Sequence, residues 1–213
     1  MTNILIVRHG NSLSNASKTF TGHINSPLSE LGNKQAELTC KYIYQNYQVD
    51  AIYSSDLIRS IDTVKPLANK LGLNIITDKN LREMYGGKWE GMLFSDLPSK
   101  YPDDYKVWTE NVGLARCTGG ESYAEVQDRA VKIISKIATE NDGKTVVVST
   151  HGAVIRAFEC FVRNIPLTRM QEVNYVFNAS LSEIEYFEGK FNIKRTNISE
   201  HLAEVLTAMP KGI

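Results

Sequence analysis

Cysteine is scarce in this sequence. Of 213 residues only Cys40, Cys117 and Cys160 are cysteines, and none forms a CxxC pair. That number and spacing indicate neither a zinc site nor a disulfide framework. Free thiols fit a reducing compartment, so a cytoplasmic location is expected. Long hydrophobic runs are missing as well. No stretch approaches the ~18 apolar residues of a membrane span. The N-terminal run Ile4–Val7 is too short for a signal peptide, and no basic segment precedes it. Excess charge of one sign is also absent, with 24 Lys+Arg against 24 Asp+Glu. General nucleic-acid binders and membrane-surface binders are normally basic, so neither partner is expected. Any polyanion must be met by a local cluster. There is no internal repeat, low-complexity tract or linker.

What is present is ordinary globular composition, 42% hydrophobic and 23% charged. A chain of this length suggests one domain spanning residues 1–213. Ile4-Leu5-Ile6-Val7 and Thr145-Val146-Val147-Val148-Ser149 are short, branched, apolar runs, read as buried parallel strands. Ala51–Tyr53 and Asn74–Ile76 are shorter strand candidates. Leu181–Phe187 and Lys190–Arg195 flank Glu188-Gly189, a hairpin turn signal. Helical stripes lie between them. Ser29 N-caps Ala36, Cys40, Ile43 and Tyr47; Leu57, Ile61, Val64, Ala68 and Leu71 form a second stripe. Ser122-Tyr123-Ala124-Glu125 is a capping box before Val126, Ala130, Ile133 and Ile137. Val154, Ile155, Phe158 and Val162 form a fourth. A short helix at about 200–208 precedes a loose Pro-Lys-Gly tail. The alternation predicts a three-layer α/β/α sandwich around a mostly parallel, mixed sheet. Residues 85–118, with Trp89, Trp108, Gly86-Gly87, Pro98 and Pro102, have weak helical periodicity. They read as an insertion over one end of the sheet.

Ligands of parallel α/β sheets bind outside the carboxyl ends of the strands. Arg8-His9-Gly10 and His151-Gly152 both stand at such ends, and each glycine lets backbone approach a ligand. Arg59 lies early in the helix after Tyr53-Ser54-Ser55-Asp56 and points to the same edge. Two guanidiniums and two imidazoles without clustered acids suggest an oxyanion, phosphate above all. The rival for paired histidines is a metal. It lacks a third ligand at a usual spacing, and the arginines would repel a cation, so no metal is expected. Taken singly, Arg59 and Glu83 read as surface charges and each His-Gly as a loop histidine.

Leu5-Ile6-Val7-Arg8-His9-Gly10, followed by Ser12 and Asn15, resembles the signature of the histidine phosphatase superfamily, the phosphoglycerate mutase-like proteins. Phe20-Thr21-Gly22 with Ser26–Gly32, Ser54–Thr63, Leu81–Gly91, Gly120-Glu121-Ser122 and Ser149–Gly152 resemble the family's later blocks in order. The resemblance covers about residues 4–180. It implies that His9 is a nucleophile forming a phosphohistidine. It also implies that Arg8, Arg59 and His151 hold the phosphoryl oxygens, and that Glu83 protonates the leaving alcohol and then activates water. Asn15, Thr21, Gly22 and Gly152 fall where the substrate is held.

The chain departs from the pattern in two places. Asn11 and Ser12 stand where the family more often has a longer polar residue and threonine, which alters contacts at the phosphate pocket. Glu83 is followed by Met84-Tyr85-Gly86-Gly87, not by the mutases' Arg-His-Tyr-Gly. The insertion offers Lys88, Lys100, Lys106 and Arg116 but no Arg-Arg pair. The second departure favours a phosphatase over a mutase, and the reading is a cofactor-free, metal-independent phosphatase of a small phosphorylated metabolite. The alternative is a cofactor-dependent phosphoglycerate mutase primed by 2,3-bisphosphoglycerate. A third possibility is a catalytically dead binding protein. A homodimer is compatible with this size.

Overall fold

Short branched runs end up between two layers of helices. In the computed structural model, which describes residues 1–207, six strands form one sheet in the order β3-β2-β4-β1-β5-β6. They are β1 (Thr2–Arg8), β2 (Ala51–Ser54), β3 (Ile75–Thr77), β4 (Thr145–Thr150), β5 (Leu181–Phe187) and β6 (Lys190–Ile198). β1, β4, β2 and β3 run parallel; β5 and β6 form the expected hairpin, with β5 antiparallel to β1 and β6 antiparallel to β5.

The helices are α1 (Leu13–Ala16), α2 (Glu30–Asn46), α3 (Ile58–Leu71), α4 (Leu97–Lys100), α5 (Pro102–Glu110), α6 (Tyr123–Glu140) and α7 (Gly152–Val162). Successive strand residues face opposite ways. Ile4, Ile6, Val146 and Val148 join one core cluster with residues of α6 and α7. Leu5, Val7 and Val147 join the other with residues of α2 and α3. The central strands are therefore apolar on both faces, which is why they read as continuous runs.

Two caps form as the sequence predicts. The Ser29 hydroxyl accepts from Gly32 N, and the Ser122–Glu125 capping box is complete. α3 ends at Gly72 with φ 67°, a left-handed position natural to glycine. The stretch expected at 200–208 is a 3-10 turn over Glu200–Val205 and not an α-helix. The Pro-Lys-Gly tail lies outside the described residues.

The 85–118 region corrects the expectation of weak helicity, since it contains α4 and α5. Prolines open or closely follow the start of both, where their missing N–H is harmless. Tyr101 at the junction caps the end of α4 and the start of α5 outside helical geometry. Its tryptophans are core. Trp89 and Trp108 are buried and meet Phe20 edge-on at 5.6 and 5.7 Å.

The start of α2 is pressed onto the loop after β1. A Cβ at Gly32 would sit 2.0 Å from the Asn11 carbonyl oxygen, and one at Gly10 would sit 2.7 Å from the Gly32 carbonyl oxygen. We expect Gly32→Ala to lower the unfolding free energy by ~1–3 kcal/mol, as overpacking does. Alanine's gain in helix propensity is at most ~1 kcal/mol and does not offset a backbone clash. The urea midpoint of the variant checks this; a midpoint at or above wild type refutes it.

Candidate active site

The register of two neighbouring strands builds the site. β1 pairs with β4 so that Arg8 is opposite Thr150, and His9 N donates to Thr150 O at 3.0 Å. The residues that follow, His9 and His151, thus emerge side by side, with ring centroids 5.0 Å apart. β2 lies on the other side of β4, with Ser54 opposite Ser149, and its loop leads into α3 and Arg59.

His9 is buried, and its Nδ1 lies 2.7 Å from Gly10 O. A carbonyl only accepts, so Nδ1 carries the proton and Nε2 keeps its lone pair. Burial, then Arg59, then Arg8 hold the His9 pKa well below the ordinary histidine value. His151 is fully buried and is lowered likewise, by burial and then by Arg59. Neither of its ring nitrogens has a partner among the described residues.

Both arginines are anchored by main-chain oxygens. Arg8 Nη1 donates to Tyr175 Oη at 2.7 Å and to Val176 O, and its guanidinium lies over the Tyr175 ring. Arg59 Nη1 and Nη2 donate to Ile24 O and Gly22 O, each at 2.8 Å. Burial draws the Arg59 pKa down to about 10, which leaves it charged at neutral pH. Each arginine keeps one buried donor, Nε, with no partner among the described residues.

Glu83 Oε1 accepts from Met84 N at 2.9 Å and from Ala153 N at 3.2 Å, in the first turn of α7. Its main chain is clamped as well. The Glu83 carbonyl oxygen accepts from Arg129 Nη2 and lies 2.9 Å from His23 Nε2. Arg82 forms a bidentate pair with Asp56, fastening this segment to the loop that delivers Arg59.

A cavity of about 610 Å³ opens over these groups. Arg8, His9, Asn15, Thr21, Gly22, Arg59, Glu83 and Gly152 all line it. His151 is absent from the wall and lies beside His9, beneath the surface. Gly22 also serves Arg59 through its carbonyl, with φ 49° and a missing Cβ that would collide with Glu90. A Cβ at Gly152 would lie 3.4 Å from Arg8 Nε. Asn15 Oδ1 closes the capping box of α1 and takes the Ser12 donors, so the amide nitrogen is the group left for a ligand. Asn11 reaches the wall, while its Oδ1 accepts from Ser29 Oγ at 2.8 Å.

Of the insertion's residues, Phe94, Tyr105 and Trp108 line the cavity; Lys88, Lys100, Lys106 and Arg116 do not. Sequence reasoning missed Arg156, Tyr175, Val176 and Asn178 on the wall. Only Arg156 left a signal, a cation interrupting the apolar stretch Ala153–Val162. The others come from a loop without periodicity.

Among the described residues the wall carries Arg8, Lys18, Arg59 and Arg156 against one carboxylate, Glu83. A chain of zero net charge thus concentrates positive charge where two strands deliver imidazoles. Fold and site together define an α/β protein whose cavity gathers cations around a buried histidine. A profile of the histidine phosphatase superfamily (branch 1) matches residues 4–199, and the chain belongs to that family.

Phosphoserine phosphatase 1 of Hydrogenobacter thermophilus is 32% identical over 213 residues, the full length of both. Phosphoglycerate mutase-like protein 4 of Arabidopsis thaliana is 31% identical, over 94% of this chain and 87% of its own. The metal-independent phosphoserine phosphatase of Arabidopsis thaliana is 30% identical, over 96% and 85%. Among solved structures, Bacillus stearothermophilus YhfR superposes with a TM-score of 0.91 at 26% identity, over 95% of this chain and all of that one. The mycobacterial glucosyl-3-phosphoglycerate phosphatase Rv2419c, solved with VO3, gives 0.84 at 26% identity, over 92% and 99%.

The lowered imidazole values have a definite sign. In the unfolded chain a histidine binds its proton near pH ~6.5. The folded His9 and His151 bind theirs only at lower pH. Below ~6.5 the unfolded state therefore holds more protons, and stability falls as pH drops through that range. Imidazole NMR of the free protein should show both rings still neutral at pH 6, with the His9 proton on Nδ1. Either ring titrating at or above the ordinary histidine value would contradict this electrostatic picture.

Proposed function

We propose that this phosphatase dephosphorylates a small metabolite without a metal, through a phosphohistidine at His9. His9 Nε2 attacks phosphorus and the bond to the alcohol oxygen breaks. Glu83, entering as the acid, gives that oxygen its proton. The phosphorylated ring keeps its Nδ1 proton on the Gly10 carbonyl, which holds the ring's orientation. Water then attacks the phosphohistidine, Glu83 takes the water's proton, and phosphate leaves with Nε2 free again.

The observation that carries this reading is the set of buried donors without partners. Arg8 Nε and Arg59 Nε belong to side chains that line the cavity with His9, and the His151 ring nitrogens lie beneath the wall beside the His9 ring. Leaving such donors unmet costs ~1–3 kcal/mol each, so a site that keeps them suits an anion with several oxygens. Phosphoryl transfer needs positioning and charge stabilisation, which fixed guanidiniums supply. Glu90, the other acid near the insertion, is a poor rival. Its Oε1 is occupied by His23 N and Gly86 N, and it does not line the cavity.

Phosphatase chemistry rather than mutase chemistry agrees with relatives named as phosphoserine phosphatases and as a glucosyl-3-phosphoglycerate phosphatase. It agrees too with the insertion's lysines and Arg116 lying off the cavity wall. A cytoplasmic setting is proposed from the free thiols. Among the described residues no helix is long and apolar enough to cross a membrane.

Two experiments test the roles. Wild-type protein treated with EDTA should trap labelled phosphate from an ester, and His9→Ala should neither trap it nor retain more than ~10⁻⁴ of the rate. A His9→Ala rate within tenfold of wild type would exclude the nucleophile.

Glu83 is separated from the clamp by leaving group. An aryl phosphate such as p-nitrophenyl phosphate leaves with little protonation, whereas an alkyl phosphate needs it, worth ~10²–10⁴-fold. Glu83→Gln should slow the alkyl ester far more than the aryl one when phosphorylation limits, as burst kinetics will show. Arg59→Ala should slow both by similar factors. Equal slowing of both esters by Glu83→Gln would remove Glu83 from the role of leaving-group acid.

A further inference from the structure

Arg156 is the cavity's fourth cation, and the mechanism above does not use it. It projects from α7 one turn, ~6 Å, beyond Gly152. Its side chain is 8% exposed and it lines the cavity. A guanidinium buried to that extent normally sits against a carboxylate. Here no carboxylate among the described residues lies within 4.0 Å of it, although Glu159 is three residues along the same helix. Glu159 is instead 3.8 Å from Arg163.

The protein contacts of Arg156 are two long bonds from Nη2, to Met170 O at 3.3 Å and Val173 O at 3.5 Å. Among the described residues Nε has no partner and Nη1 makes no bond. A five-donor fork with so little use is a ready carboxylate or phosphate receptor.

Its place separates it from the phosphoryl clamp. Arg8 ends β1 beside His9, whereas Arg156 lies about one turn along α7 from Ala153, whose amide donates to the Glu83 carboxylate. Arg156 therefore stands on the side of the cavity that also holds Glu83, the acid proposed above. That is where the carbon skeleton of the leaving alcohol must lie. Phe20, Phe94, Tyr105, Trp108 and Val176 add an apolar surface to the wall.

We propose that Arg156 is a specificity residue that holds a carboxylate on the leaving alcohol, so that the preferred substrates are phosphomonoesters of hydroxy acids. This rests on the phosphatase reading above. One guanidinium matches a monoanionic carboxylate. A second phosphate would be under-neutralised, since the clamp devotes two arginines and two histidines to one phosphoryl group.

The test is a matched pair of alkyl phosphates, 3-phosphoglycerate and glycerol 3-phosphate. They differ only in a carboxylate against a hydroxymethyl group at the end remote from phosphorus. Charged hydrogen bonds of this kind are worth ~10- to 100-fold. Wild-type protein should favour 3-phosphoglycerate by at least ~10-fold in kcat/KM. In Arg156→Gln the KM for 3-phosphoglycerate should rise more than kcat falls, and the loss should exceed that on glycerol 3-phosphate by ~10-fold or more. Arg156→Lys, which keeps the charge but not the fork, should recover part of the preference.

If Arg156→Gln fails to fold, the wild-type ratio and the lysine variant decide. Equal turnover of the two esters by wild type, or equal losses in the variants, would overturn the subsite and leave the phosphatase intact. Failure of wild type to hydrolyse either ester or p-nitrophenyl phosphate would overturn the phosphatase reading, and the subsite with it.

Discussion

Burying positive charge without a matching carboxylate is the constraint around which this structure is arranged. Removing a guanidinium from water costs several kcal/mol even after relaxation. Arg8 and Arg59 are nonetheless 7% and 1% exposed. The cost is met with neutral oxygens. Val176, Gly22 and Ile24 lend carbonyls, and Tyr175 lends a hydroxyl and a ring face. Carbonyl dipoles hold the cations without neutralising them. A carboxylate partner would satisfy the arginines better and cancel the field that an anionic ligand needs.

That choice explains much of the surrounding geometry. The loop carrying Gly22 and Ile24 must fold back over α3, and the left-handed Gly22 lets it turn. Glu90 holds that turn by accepting from His23 N, and it ties the same turn to Gly86 in the acid's own segment. The Arg82–Asp56 pair joins this segment to the β2–α3 connection. Arg129 reaches from α6 to the carbonyl oxygens of Asn80, Arg82 and Glu83. Glu83 is thereby fixed relative to Arg59 by salt bridges and amides at the cavity's edge. Fixed dipoles of this sort need no reorganisation when charge shifts during phosphoryl transfer. Burial, and after it the same field, lowers the pKa of both imidazoles, as the proposed attack by a neutral ring requires.

How much of this can be read along the chain depends on whether a feature is local. Apolar runs and caps are local, so β1, β4, α2 and α6 stand close to their expected bounds. Interactions of the 85–118 region are not local. Its helices are short, and its aromatics face one another and Phe20 across sequence, so periodicity missed α5. His9, Glu83, Arg8, Arg59 and His151 were legible because the family's motif blocks resemble these segments. Arg156 belongs to none of those blocks, and its meaning depends on what surrounds it in space.

By itself the sequence determined the strand ends that carry Arg8-His9-Gly10 and His151-Gly152, because a buried strand must be apolar until it leaves the core. It also determined the helix starts, since Ser29 and Ser122 satisfy amide donors within their own turn. Only the tertiary structure decided that β4 lies against β1 with Arg8 opposite Thr150, which brings the two imidazoles together. It alone decided that a carbonyl and a hydroxyl of a distant loop anchor Arg8, that His151 sits beneath the wall, and that Arg156 meets no carboxylate among the described residues. Those outcomes depend on strand order and on contacts between residues far apart in sequence. Such contacts are chosen by the packing of whole layers, for which no short stretch of sequence carries the information.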